Sequence, residues 1–190
     1  MLTIEQMQKN EVEYIRLLSK LGVDLTSFNK FLDEIDFFNK PASVSYAGSY
    51  PGGLCEHALK FLSNLNALCS YYYPGRYSEE DLLKVALLKD VYRAVMYESY
   101  QKNVKDDITG QWTTVNAFKT KEGSARPAFG NLGISSYMIA KNFFSFTDEQ
   151  IEAIIHAAPF ETEVDIHDVM RQYPLVALTK MAGIGSVYLN

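Results

Sequence analysis

Apolar residues near the start of the chain recur at three- and four-residue steps, the spacing of one helix face. Ile4, Met7, Val12, Ile15, Leu18 and Leu21 predict an amphipathic helix over residues 3–21. A second helix is expected from Ser27 to about Phe38, ahead of Pro41. Residues 41–53 hold three glycines and two prolines and read as a loop. A long helix over 54–73 follows, ended by Pro74 and Gly75. Ser78 ahead of Glu79, Glu80 and Asp81 reads as an N-cap with an acidic first turn. The helix it starts, over 79–100, is apolar nearly all round at Leu82, Leu83, Val85, Ala86, Leu87, Leu88 and Val91. Such a helix belongs at the centre of the fold.

Helical periodicity lapses over 102–123, where Ile108, Trp112 and Val115 surround a turn signal at Thr109, Gly110 and Gln111. A small hairpin within 106–120 is expected there. Helices return over 132–143, over 147–157 behind a capping box at Thr147, over 165–172, and from Pro174 onward. The pattern predicts an all-α fold with one inserted β-hairpin. It is read as one domain over 1–190: N-terminal helices in 1–40, the Gly/Pro loop in 41–53, and the core in 54–190.

Composition narrows the function classes. The chain carries 18 Lys and Arg against 23 Asp and Glu, a net charge of -5. That argues against a nonspecific nucleic-acid binder, which needs basic surface to displace counterions. No apolar run reaches the ~20 residues of a membrane span, and the polar, acidic N-terminus carries no signal pattern, so a cytoplasmic location is expected. Cys55 and Cys69 lie 14 residues apart on one expected helix, about 21 Å, too far to pair with each other. Both read as small buried hydrophobes.

The three histidines stand apart in the sequence. His57 follows Gly52 and Gly53 at the start of the long helix, either as a packing residue or as part of a site. His156 and His167 read as structural or exposed. Lys89 and Asp90 interrupt the most apolar stretch, with Arg93 shortly after, and buried charges are costly unless paired or functional. Arg93 is open to two readings, a solvated arginine or a phosphate contact. Lys102, Lys105, Lys119, Lys121 and Arg126 gather around the hairpin, but with Asp106, Asp107 and Glu122 among them a solvated face is the preferred reading. The 13 tyrosines, three of them consecutive at 71–73, suit stacking, an interface, or core and rim positions. Phosphate-binding glycine loops, CxxC and HExxH are absent from the sequence.

A set of motifs is similar to one family. Pro41, Ala42, Ser43, Gly48, Tyr50 and then Gly52 through His57 resemble the opening motif of small HD-superfamily proteins of bacteria and their phages. The likeness continues through Ala86 to Asp90, where the family has Ala-Leu-Leu-His-Asp and then a basic residue. It extends to the Trp112 hairpin, to Phe146 and the Thr147 capping segment, and to Tyr173 through Ala182, covering about residues 35–185. The resemblance implies an HD-like helical bundle. Active relatives are metal-dependent phosphohydrolases of nucleotides or phosphodiesters, in which His and Asp ligands hold a divalent metal that activates water.

Against that pattern, this chain keeps His57 and Asp90 and departs elsewhere. Lys89 stands where the family has the His of its His-Asp pair, and Gly183 where it has a closing Asp. Ala157 takes the place of a late-helix His, with His156 one residue and so about 100° away. Ala47 replaces a His in the opening loop, and residues 129–133 lack another. A lysine cannot ligate while protonated, and its ammonium supplies charge of the metal's sign.

The expectation is therefore a catalytically degenerate HD-domain protein, with Lys89 partly replacing the metal and His57 and Asp90 as vestigial site residues. It would act by binding a protein partner or a nucleotide-like ligand through His57, Lys89, Asp90 and Arg93, with no cofactor. One alternative is a phosphohydrolase with an atypical Mn or Mg site on His57, Asp90 and His156 or on a carboxylate such as Glu161 or Asp165. Another is a structural or homo-oligomeric protein whose pocket is filled. The family's distribution implies a phage-encoded protein acting in a host cytoplasm. No membrane partner is expected.

Overall fold

The computed structural model describes residues 2–122, 131–158 and 166–188. Its elements are α1 (Ile4–Ser19), α2 (Thr26–Glu34), α3 (Gly53–Tyr72), α4 (Glu79–Leu88) and α5 (Val91–Met96), then strands β1 (Tyr97–Lys105) and β2 (Trp112–Thr120), then α6 (Leu132–Ala140), α7 (Asp148–Ile155), α8 (His167–Gln172) and α9 (Pro174–Tyr188). Among the described residues the fold is thus mainly helical with one two-stranded antiparallel hairpin. Among the described residues no helix is long and apolar enough to cross a membrane.

Helix α3 runs through the middle, packed against α1, α4 and α9. Leu54, Phe61 and Leu65 of α3 meet Leu83, Leu87 and Leu88 of α4, Val176 and Ala182 of α9, and Leu18 of α1 in one buried cluster. Tyr14 brings its ring into this core and donates its hydroxyl hydrogen to the Leu87 carbonyl at 2.5 Å, so its polar end is satisfied. Cys55 and Cys69 are both free and buried, as their spacing required.

Three capping contacts fix how the elements around the core sit. Ser78 and Asp81 close the start of α4 in a reciprocal pair, and Thr147 and Gln150 do the same for α7. The caps are themselves joined, since Gln150 Nε2 donates to Asp81 Oδ1 at 2.7 Å. Next to them Glu149 accepts from the Leu175 amide at 3.1 Å, satisfying an orphan donor at the start of α9, and from the Tyr77 hydroxyl at 2.8 Å. Helices α4, α7 and α9 are thereby tied together near their N-termini.

Two expectations need correction. The helix expected over 79–100 ends at Leu88, turns at Lys89 and Asp90, resumes as α5, and gives way to strand at Tyr97. The turn lets Lys89 and Asp90 bond to each other, and the freed amide of Tyr92 donates to Ser136 Oγ on α6 at 3.2 Å. The hairpin is also longer than expected, with its turn at 106–111. Asp106 Oδ1 accepts from the amides of Ile108 and Thr109, so Ile108 lies at the tip, 95% exposed, and not in a strand.

Candidate functional site

The loop ahead of α3 is built to approach the helix closely. The Ala42 amide donates to the Gly48 carbonyl and the Leu54 amide to the Lys40 carbonyl. A Cβ on Gly53 would lie 2.2 Å from the Gly48 oxygen, so only glycine permits this contact. The loop thus lies along the first turns of α3, where His57 emerges.

Across from it, the break between α4 and α5 presents three charged side chains. Lys89 is 4% exposed and Asp90 8%, burial that demands partners. The Lys89 ammonium donates to Asp90 Oδ2. Arg93 Nε donates to Asp90 Oδ1 at 2.8 Å, so each carboxylate oxygen faces its own cation. Lys89 also lies 4.2 Å from the centre of the Phe61 ring, on its cation-attracting face. Arg93 Nη1 reaches the Ala42 carbonyl at 3.2 Å and the Tyr97 hydroxyl at 3.4 Å, which ties the loop to the charge cluster. The one guanidinium nitrogen with no protein partner among the described residues is Nη2.

His57 Nε2 stands 3.6 Å from Asp90 Oδ2, near but beyond ordinary hydrogen-bond length. Burial, then the positive charge of Lys89, pushes the imidazole down to about 3, so it is neutral at physiological pH. Burial alone would raise the Asp90 carboxyl, but Lys89, Arg93 and His57 outweigh it and hold the group well below the ordinary carboxylate range. Burial draws Lys89 below the usual lysine value, an effect that Asp90 only partly offsets.

These groups lie against a cavity of about 560 Å³, within the range of small-molecule sites. Ala47, Gly133, Ala157 and Gly183 line it, as do His57, Lys89, Asp90 and Arg93. Ala47, Lys89, Ala157 and Gly183, which stand where the resemblance would put other side chains, all line this one space, as do Leu132 and Gly133 of the segment 129–133. A smaller hollow of about 260 Å³ shares Ala42, Ala47, His57 and Val187 with it. Tyr46 and Tyr188 stand on the wall, 82% and 64% exposed. Sequence reasoning missed both. Tyr46 had a signal, lying next to Ala47 in the opening motif, whereas Tyr188 falls beyond the segment that carries the resemblance.

His156 is not part of this wall. It follows the last turn of α7, with Nε2 3.2 Å from Glu152 Oε2 on its own helix. His167 is exposed at the start of α8. Glu161, Asp165 and Arg126 lie outside the described residues, as do the first two residues of 129–133. Among the described residues no three His, Cys, Asp or Glu side chains gather to hold a metal ion. Among the described residues the carboxylate lining the cavity is that of Asp90, and both its oxygens already accept from cations. A divalent ion placed there would face the Lys89 ammonium, so the donors among the described residues do not fit one.

Comparison with family models, with curated proteins and with solved structures returns no match.

Proposed function

We propose that this chain is an HD-like scaffold whose metal site has become an internal ion cluster, and that it works by binding a nucleotide-like anion without turning it over. The observation that carries this reading is the Lys89 ammonium seated on Asp90, at the position where the resemblance puts a metal-binding His-Asp pair. Two cations against one carboxylate leave the floor with one net positive charge. Arg93 Nη2 is the donor left for a phosphate oxygen, a geometry in which guanidinium excels. Neutral His57 adds a hydrogen-bonding group that carries no charge. Tyr46 and Tyr188 offer aromatic surface on the wall for a base. Ala47, Ala157 and Gly183, small residues where the resemblance would put metal ligands, leave the cavity wider. That open volume of about 560 Å³ weighs against a pocket filled by side chains.

The test combines metal content with thermal melts of the purified protein. The expected result is no stoichiometric metal, no change in Tm with EDTA or Mn²⁺, and an upward shift with nucleoside monophosphates. A stoichiometric metal, or stabilisation by Mn²⁺, would overturn the reading in favour of a hydrolase with an atypical centre.

A further inference from the structure

Beyond its first residues the hairpin stands out from the helices, with both faces of β1 exposed and β2 exposed over its first half. An isolated two-stranded ribbon is marginal in water, and free strand edges invite pairing. The two edges differ. Strand β1 carries Glu98, Lys102 and Lys105, charges of the kind that discourage edge pairing. Strand β2 is uncharged from Trp112 through Phe118 and rich in β-branched and aromatic residues, with Trp112 69% exposed.

The hydrogen bonding fixes what this edge presents. The Lys121 amide donates to the Met96 carbonyl and the Asp106 amide to the Gln111 carbonyl, marking bonded pairs at both ends of the ladder. Bonded and non-bonded pairs alternate in antiparallel strands, so Lys105–Trp112, Asn103–Thr114, Gln101–Asn116 and Ser99–Phe118 are non-bonded. The backbone groups of Trp112, Thr114, Asn116 and Phe118 accordingly point away from β1.

We infer that β2 pairs antiparallel with β2 of a second copy of this chain, about a two-fold axis at Val115, to form a four-stranded sheet. In this register Trp112 faces the second copy's Phe118 and Thr114 faces its Asn116, so every outward group of the uncharged segment finds an outward partner. A two-residue slip sets one aromatic against Gly110 or against the half-buried Thr120. Charge agrees with the same register. Lys119 comes opposite Gln111 of the second copy, whose own cross-strand neighbour is Asp106, so each basic hairpin base approaches an acidic turn. A symmetric contact of this kind closes on itself and does not propagate into fibres.

Light scattering at high micromolar protein tests the state, with a mass of twice 21.5 kDa expected. Asn116→Pro removes an outward amide without touching the ribbon's own ladder, and should give monomer with an unchanged helical melt. Gln101→Pro, its counterpart on the β1 edge, should remain a dimer. Val115→Cys should cross-link to itself under mild oxidation, because the central pair is non-bonded with close Cβ atoms and the native cysteines are buried. A monomeric wild type, an Asn116→Pro dimer, or equal loss in both proline variants overturns the interface. A dimer in which Val115→Cys fails to cross-link overturns the register.

Discussion

Lys89 and Asp90 are neighbours in the chain and yet meet side chain to side chain. On a continuous helix adjacent residues point about 100° apart and do not face each other. Here Lys89 caps the C-terminus of α4 with its backbone still helical, and Asp90, at φ -115° and ψ 9°, leaves that conformation before α5 begins. The break that interrupts a strongly apolar helix is therefore what makes the ion cluster possible.

Removing one member should expose what the pair holds together. Lys89→Ala leaves Asp90 buried with Arg93 as its close ionic partner, and should cost about 3 kcal/mol of unfolding free energy. The double variant Lys89→Met, Asp90→Asn should recover part of that loss, because no buried carboxylate remains. Urea titrations of the wild type, the single variants and the double variant give the coupling directly. A wild-type stability in Lys89→Ala would mean the ammonium has no structural role.

Stability should fall as the solution is acidified, in a window set by His57. Its folded value is depressed to about 3, whereas the unfolded imidazole titrates near 6.5. Below that upper value the unfolded chain takes up a proton that the folded one refuses, so unfolding is favoured as pH drops from the upper value toward the lower. The expected loss between pH 7 and pH 5 is about 1–2 kcal/mol. His57→Gln should flatten the profile in that interval. The depressed Asp90 acts in the same direction at lower pH, below the ordinary carboxylate value.

Arg93 both anchors the loop and faces the cavity, so its replacement should separate two effects. Arg93→Gln is expected to weaken binding of a nucleoside monophosphate about tenfold or more, the loss of one charge-assisted contact. Calorimetric titration measures it. The same variant frees the Ala42 carbonyl, which a proteolysis rate across residues 41–53 would register.

Gly133 lines the cavity where α6 meets the end of α7. A Cβ there would lie 2.3 Å from the Ile154 oxygen and 2.4 Å from that of Ile155, both backbone atoms that cannot step aside. Gly133→Ala should destabilise by about 2 kcal/mol, read as a lower Tm. Placing a large side chain at this site would require α6 to move.

Much of the helical frame was legible because its signals are local. Ser78 with Asp81 and Thr147 with Gln150 announce helix starts that the structure reproduces as reciprocal caps. The end at Leu88 was not legible, since the apolar run continues through Val91, Ala94 and Met96 and only the tertiary bonds of Lys89, Asp90 and Ser136 select the break. Strand β1 was hidden for a related reason. With both faces in water it has no alternation of apolar and polar residues to read. At the site, His57, Lys89, Asp90 and Arg93 were singled out by chemistry and come together in space. Tyr188 could not be, because an exposed tyrosine near the end of a helix gives no sign that it borders a cavity.

The pressing of Gly48 against Gly53 has a bearing on how such a cleft changes over time. The loop is held by main-chain bonds at Ala42 and Leu54 and by the Ser43 hydroxyl, which accepts from the Tyr46 amide at 2.8 Å, not by what Tyr46 or Ala47 carry on their β-carbons. Selection can rewrite those two side chains, and with them what the cleft prefers to hold, while the frame beneath stays in register.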